Sequence, residues 1–157
     1  AIIKIKKRNL NFHARFSAKK RIYKYIIFNR TSSPIIDKKR VWHVRKKLDL
    51  NLIKKGAKKL IGTKDFSTFR AASCNAKTSI RTIDIIKIKN SNRKIEIEFK
   101  SQSFLQQQVR SMVGCLKYLG ENKWTLKKFD EVVKSKNRAL CAPPAPPEGL
   151  FLFRVIY

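Results

Sequence analysis

The stretch 12-FHARFSAKKRIYKYIIFNR-30 predicts a long β-strand over residues 12–29. Because successive strand residues point to opposite faces, Tyr23 and Tyr25 share one face of it, and basic side chains surround them. Two interpretations follow. Either an aromatic ring stacks on an unpaired nucleic-acid base while the cations hold phosphates, or two core tyrosines lie beside solvated charges. The segment taken alone supports both.

The remaining pattern predicts further strands and three helices around this strand. The predicted elements are a short strand at 41–44, a helix at 52–61 capped by Asp49 or Asn51, strands at 82–89 and 94–100 joined by a turn at 90–92, helices at 104–120 and 125–135 with Thr125 as cap, and a last strand at 150–157. The last strand is hydrophobic on both faces and is therefore expected to be central or covered. Residues 1–9 are predicted to be the end of a strand or a linker. The order predicts an α+β fold with a mostly antiparallel sheet and helices on one face.

The charge of the chain points to a polyanionic partner. Its 157 residues include 38 Lys and Arg against 10 Asp and Glu, a formal charge of +28. Repulsion among so many cations destabilises a compact fold unless a polyanion neutralises them. Nucleic acid is the first candidate and an anionic membrane surface the second. The plainer alternative is a compositional excess of lysine that only solvates the surface.

Cysteine and histidine usage argues against a metal site. The three cysteines are widely spaced and form no C-x-x-C pair, and the two histidines lie thirty residues apart. We therefore expect no metal site, and a reducing, cytoplasmic location. No apolar run in the sequence reaches the length of a membrane span. The helix at 52–61 is basic opposite its apolar stripe, as a membrane-surface helix would be, but the stripe is better used in a core, so we expect no membrane partner.

Two further arginines are candidates for function. Arg70 lies in the long loop 63–81, where it is equally suited to bind a phosphate or to brace a turn. Arg110 lies on the predicted helix 104–120, about 120° from the centre of the apolar stripe at about 100° per residue. A solvated helix flank is its default interpretation. The alternative is that it points into a cleft and pairs with a carboxylate.

Six separated motifs occur in a recognisable order. They are FHARFSA, R-x-Y-x-Y, GTKDFSTFRA, T-x-x-R, FLQQQVRSMVG and APPAPPEGLFLFRVIY, and they extend from about Asn11 to Tyr157. Together they resemble the second half of the tRNA pseudouridine synthase A family. The resemblance implies one half of the pseudouridine synthase fold. It also implies an isomerase that converts uridine to pseudouridine in the anticodon stem-loop of tRNA, at positions 38 to 40, without a cofactor.

The resemblance also implies roles for particular residues. Tyr23 corresponds to the tyrosine that stacks on the target base, and Arg110 to the arginine that pairs with the catalytic aspartate. Four more arginines correspond to motif positions near the cleft and are candidates for RNA binding: Arg15, Arg21, Arg70 and Arg81. The expected partners are the anticodon arm of tRNA, the N-terminal domain of the same enzyme, and a second copy in a homodimer. Apolar surface is expected where the N-terminal domain docks.

The chain departs from the family pattern at the nucleophile. The family's aspartate lies in a G-R-T-D-x-G-V-H motif before FHAR, and the nearest string here, Arg81 to Asp84, falls inside a predicted strand. Residues 1–157 are therefore expected to be a C-terminal domain that is inactive alone. A second departure is Gln106 to Gln108, where the family usually has histidine and methionine. The alternative function is a non-catalytic basic RNA-binding module, such as a ribosomal protein.

Overall fold

The computed structural model describes Ile2 and residues 5–157, and a sheet of six strands forms its framework. The strands are β1 (Lys20–Asn29), β2 (Trp42–Val44), β3 (Gly62–Asp65), β4 (Ile80–Ser91), β5 (Lys94–Ser101) and β6 (Leu150–Ile156). The helices are α1 (Leu50–Leu60), α2 (Gln108–Gly120) and α3 (Leu126–Lys134), with short 3-10 turns at Ser67–Phe69, Arg138–Leu140 and Pro147–Gly149. The prediction for residues 1–9 falls partly outside the described residues, and residues 5–9 form neither helix nor strand.

Strand β1 is the hub of the sheet, whose order is β2-β1-β5-β4-β3. One edge of β1 pairs with β5. The other edge pairs with β6 along Lys20–Tyr25 and then with β2 from Ile27 to Asn29. Only the β1–β2 pairing is parallel among the pairings of the described residues. The mostly antiparallel α+β fold predicted from the sequence is therefore confirmed.

Alternation in β5 places the core on one face of the sheet. Ile95, Ile97 and Phe99 are buried and join a hydrophobic cluster with residues of all three helices. The opposite face is charged, since Lys24 of β1 pairs with Glu96 of β5 at 3.0 Å. The helices therefore cover the apolar face. Within Ile2 and residues 5–157, no helix combines the length and apolar composition that a bilayer crossing requires.

Local signals determine where most elements begin and end. Asp49 caps α1, because its Oδ1 accepts hydrogen bonds from the backbone N–H groups of Asn51 and Leu52 at 2.8 and 3.0 Å. Thr125 caps α3 as predicted. The β4–β5 turn falls at Asn92 and Arg93, later than predicted, where both residues have positive φ. Two-residue hairpin turns of this kind match the twist of the flanking strands and favour asparagine.

Two predicted boundaries were wrong. β1 begins at Lys20 because residues before it fold into a turn, in which the N–H of Ser17 donates to the carbonyl of His13 at 2.8 Å. Helix α2 begins at Gln108 because Gln107 adopts a left-handed conformation, φ 61°, that no helix continues through. The predicted loop at 63–81 also contains β3 and a 3-10 turn.

The last strand does not match its prediction. β6 pairs with β1 but is neither central nor covered in this chain. Phe151, Leu152 and Phe153 are 39%, 55% and 51% exposed. The two-sided hydrophobic pattern therefore leaves an apolar surface at the edge of the sheet, next to the start of β1.

Candidate active-site cleft

A cleft of about 980 Å³ opens where the start of β1, the end of β5 and the start of α2 meet. Tyr23 and Arg110 both line it, although 87 residues separate them in the sequence. Arg15, Arg21 and Arg81 line the same cleft. The structure therefore brings together five of the six residues singled out in the sequence. Arg70 lies just outside the lining.

Tyr23 is positioned by two strands and an aromatic neighbour. It pairs with Phe99 of β5 on one side and Leu152 of β6 on the other. The β1–β6 register shifts between Ile22 and Tyr23, an irregularity of the kind that turns a side chain toward a site. The ring of Phe104 meets the Tyr23 ring edge-on, with centroids 5.2 Å apart and planes at 90°. The phenol is half-buried, with one side toward the cleft.

Tyr25, two residues along the same face, has a different environment. It is fully buried, and its hydroxyl donates a hydrogen bond to the carbonyl of Pro146 at 2.7 Å. Burial raises the pKa of the Tyr25 phenol above its usual range, against the charge of Arg110, which lowers it. The two tyrosines of R-x-Y-x-Y are therefore one core residue and one cleft residue.

Arg110 is held by the extended segment 142–146. Its Nε donates to the carbonyl of Ala145 at 2.6 Å, and the N–H of Ala145 donates to the Arg110 carbonyl at 3.0 Å. Gly114, one turn further along α2, permits this approach: a Cβ there would lie 2.1 Å from the Pro143 carbonyl oxygen. Arg110 forms no ion pair with a carboxylate of the described residues. Its location favours the cleft interpretation over a solvated helix flank.

The other predicted arginines bind the protein's own backbone. Arg21 donates to the carbonyls of Ala18, Gln102 and Arg15. Arg81 donates to the carbonyls of Thr78 and Ile80 at 2.9 and 2.6 Å. These guanidinium groups shape the cleft wall and add positive potential to it. Arg15 is exposed, with its guanidinium over the ring of Phe16.

Arg70 braces the loop that forms one wall. Its guanidinium donates to the carbonyls of Cys74 and Ala76 at 2.5 and 3.0 Å and to Ser79 Oγ at 3.2 Å. Cys74 and Ala76 line the cleft, whereas Arg70 does not. Of the two roles open to Arg70, the structure shows the turn-bracing one.

Phe104 and Cys74 are two of the cleft residues that the sequence did not indicate as site residues. Phe104 supports Tyr23, and its signal was its place directly before the L-x-x-x-V-R string of α2. Cys74 also lines the cleft, and hydrogen bonds from the backbone N–H groups of Ala76 and Gln106 lower the pKa of its thiol. Nothing in the spacing of the cysteines indicated this position.

Comparisons with known proteins identify the family of this chain. A family model described as tRNA pseudouridine synthase matches residues 57–157. The similar proteins include three, from different bacteria, that carry the name tRNA pseudouridine synthase A. The protein of Pelagibacter ubique is 69% identical over 157 residues, which are 100% of this chain and 64% of that protein. The protein of Parvibaculum lavamentivorans is 44% identical over 147 residues, 94% of this chain and 60% of that protein. The protein of Caulobacter vibrioides is 41% identical over 146 residues, with shares of 93% and 59%.

The α+β fold and the family match over most of the chain define the class of protein. The chain belongs to the tRNA pseudouridine synthase family. It spans about three fifths of the length of these curated relatives.

Proposed function

We propose that this chain is the C-terminal domain of an enzyme that converts uridine to pseudouridine in the anticodon stem-loop of tRNA, at positions 38 to 40. The observation that carries the proposal is the convergence of Tyr23 and Arg110 on one cleft lined by further arginines. The named relatives and the +28 charge support an RNA substrate.

The reaction rearranges one bond of the nucleotide. The bond from C1′ of the ribose to N1 of uracil breaks, the ring turns, and C1′ bonds to C5 instead. C5 loses a proton and N1 gains one, so the product is an isomer. A carboxylate near C1′ serves as nucleophile, and we propose that an aspartate of the N-terminal domain supplies it.

Arg110 and Tyr23 have separate tasks in this scheme. With Nε fixed by Ala145, the two terminal nitrogens of Arg110 are left to hold the aspartate ionised and oriented. The Tyr23 ring replaces the stacking that the target base loses when it leaves the helix. Its hydroxyl is the candidate acceptor of the C5 proton. Arg15, Arg21 and Arg81 attract the flanking phosphates, while Arg70 fixes the loop beside them.

The proposed N-terminal domain docks on the apolar surface of β6. Phe151, Leu152 and Phe153 lie on a strand that neighbours Tyr23, so a domain placed there closes the cleft. We also propose a homodimer in the cytoplasm. The exposed Ile35 and Ile36 offer a second apolar patch, and the three free thiols suit a reducing compartment.

The test joins this chain to the N-terminal segment of the Pelagibacter ubique relative that precedes the aligned region. Pseudouridine in an anticodon-arm RNA is measured by mass spectrometry. We expect turnover from the joined protein and none from the chain alone. In the joined protein, Tyr23→Phe is expected to lower kcat by ~100-fold, the usual scale of a lost general base.

Tyr118→Phe is the matched control, because Tyr118 packs against Trp124 of the α2–α3 connection and not in the cleft. It is expected to keep turnover. Activity of the chain alone would refute the division of the site between two domains. Full turnover after Tyr23→Phe would refute the catalytic role of the hydroxyl. RNA binding without turnover in the joined protein would favour the non-catalytic module.

A further inference from the structure

A second pocket lies at the opposite end of β1 from the cleft. It has a volume of about 630 Å³ and is lined by Asn29, Arg30, Thr31, Ser32, Arg45, Lys47 and Arg93. Four of these seven residues are cations and none is acidic. We call it the distal basic pocket. Asn29 lies six residues along β1 from Tyr23, which places the pocket about 20 Å from the cleft tyrosine at about 3.3 Å per residue.

The four cations of the distal basic pocket are unengaged. Within the described part of the chain, the side chains of Arg30, Arg45, Lys47 and Arg93 form no ion pair or hydrogen bond, and all four side chains are exposed. The nearby carboxylate of Asp37 is already paired with Lys94 at 2.7 Å. The cleft differs, since its Arg21 and Arg81 are committed to backbone carbonyls. The pocket therefore has donors that lack acceptors.

One asparagine ties together the three segments that carry these cations. Asn29 Nδ2 donates to the carbonyls of Val44 and Lys46 at 2.8 and 2.7 Å, and its Oδ1 accepts from the N–H of Leu48 at 3.0 Å. Its backbone N–H donates to the carbonyl of Arg93 at 2.8 Å. The spacing of the cations thus depends on a hydrogen-bonded frame and not on loose loops.

The chemistry of the pocket fits phosphate groups. Guanidinium forks and an ammonium bind phosphate oxygens, and the hydroxyls of Thr31 and Ser32 add neutral donors. The pocket offers no aromatic ring on which a base would stack. This pattern matches contacts that position a nucleic acid through its backbone without reading its bases.

We propose that the distal basic pocket binds backbone phosphates of the tRNA, remote from the nucleotide held in the cleft. The inference rests on the proposed function in taking tRNA as the RNA. Because the pocket is about 20 Å from Tyr23 along β1, one RNA that spans both sites is fixed at two points. The second contact sets the direction in which the RNA crosses the domain.

The test compares paired substitutions at equal charge loss. One variant is Arg45→Ala with Lys47→Ala, and the control is Lys54→Ala with Lys55→Ala on the exposed side of α1. Binding of tRNA to this chain is measured by fluorescence anisotropy over a range of salt concentrations. We expect the pocket variant to weaken binding by roughly tenfold or more at about 0.1 M salt and to reduce the salt slope by about 2. In the control variant, both the loss of affinity and the change in salt slope are expected to be less than half as large.

A charge-conserving variant checks the assignment. Arg30→Lys with Arg93→Lys is expected to keep the salt slope, whereas Arg30→Ala with Arg93→Ala reduces it. Equal losses in the pocket and control variants would overturn the inference. The inference would also be overturned if the pocket variant kept its binding to tRNA but lost binding to phosphatidylserine vesicles. That result would assign the pocket to a membrane surface. The assay needs no turnover, so an inactive joined protein would refute the proposed function and leave this inference standing.

Discussion

At the residue scale, the two tyrosines of β1 show how one sequence pattern serves two purposes. Alternation puts Tyr23 and Tyr25 on the same face, but different elements cover them. Gly149 lies so close to the Tyr25 ring that a Cβ at position 149 would be 2.8 Å from the ring. The carbonyl of Pro146 accepts a hydrogen bond from the Tyr25 hydroxyl. Tyr23 has Phe104 on one side and open cleft on the other.

Tyr25→Phe is therefore expected to lower the stability of the domain. The substitution leaves the carbonyl of Pro146 without its donor, which costs about 1–2 kcal/mol of unfolding free energy. Urea unfolding followed by circular dichroism measures the loss. Tyr23→Phe is the control, because the Tyr23 hydroxyl forms no hydrogen bond within the described residues, and it is expected to change stability by less than about 0.5 kcal/mol. Equal losses in the two variants would contradict the division of roles.

At the element scale, the position of Arg110 depends on how α2 packs against residues 142–146. Ala142 and Ala145 are buried, and Gly114 faces the Pro143 carbonyl. Prolines keep this segment extended, so its carbonyls remain available to α2. The helix and the proline segment therefore form one unit that orients the arginine.

Gly114→Ala is expected to push α2 away from residues 142–146. The new Cβ meets backbone atoms, which cannot move aside by changing a rotamer. We therefore expect the free energy of unfolding to fall by about 3 kcal/mol, despite the better helix propensity of alanine. Gly56→Ala in α1 is the matched control, because its Cβ meets the Leu119 side chain, which is able to move. Its expected cost is about 1 kcal/mol or less. Thermal unfolding of both variants compares them, and a smaller loss for Gly114→Ala would argue against the close approach.

A carboxylate at the end of α2 makes the stability of the domain depend on pH. The Glu121 side chain is 6% exposed and contacts Lys117 at 2.8 Å and Lys123 at 3.3 Å. Burial raises the pKa of the Glu121 carboxyl, but hydrogen bonds and charge from the two lysines outweigh burial and lower it below 4.5. A lowered folded-state pKa stabilises the fold above the unfolded-state pKa, and the contribution is lost as pH falls through the folded-state pKa.

Glu121→Gln is accordingly expected to cost about 1–3 kcal/mol at pH 7 and to cost progressively less below pH 4.5. Denaturant unfolding at a series of pH values measures the difference from the original chain. Glu131→Gln is the control, since Glu131 is exposed and its lysine contact is 3.8 Å. If the loss of stability in Glu121→Gln stays constant down to about pH 3, the packing of the side chain and not its charge matters at position 121.

At the scale of the whole molecule, the exposed edge of the sheet is the feature that a single domain does not explain. Phe153 is covered on one side only by the Lys24 ammonium, 3.8 Å from the ring centroid, and Leu152 has no such cover. Apolar surface of this kind marks an interaction site or leads to aggregation.

Leu152→Ser is therefore expected to reduce self-association of the chain alone. Sedimentation velocity at rising protein concentration measures the effect, and binding of a hydrophobic dye should fall in parallel. Leu140→Ser is the control, because Leu140 is similarly exposed, 46% against 55%, but lies in a 3-10 turn away from β6. If both substitutions act equally, general hydrophobicity and not the sheet edge causes the association.

Much of this fold could be predicted because its signals are local. The alternation of β5 and the caps Asp49 and Thr125 need only neighbouring residues. The exposure of β6 could not be predicted, since a strand that is hydrophobic on both faces is normally central or covered, and no described residue covers this one. The distal basic pocket was missed for a similar reason. Its cations lie far apart in the sequence, and the pairing of β1 with β2 and β5, together with the hydrogen bonds of Asn29, brings their segments together.

The backbone lock on Arg110 has a thermodynamic consequence. A free arginine side chain samples many rotamers, and fixing it costs about 2 kcal/mol of conformational entropy. Here the Ala145 carbonyl holds the Arg110 side chain at Nε, so much of that cost falls on folding and not on a later encounter with a carboxylate. In the proposed two-domain enzyme, an incoming carboxylate would meet a guanidinium of one orientation, and most of the energy of that contact would remain available to hold the two domains together.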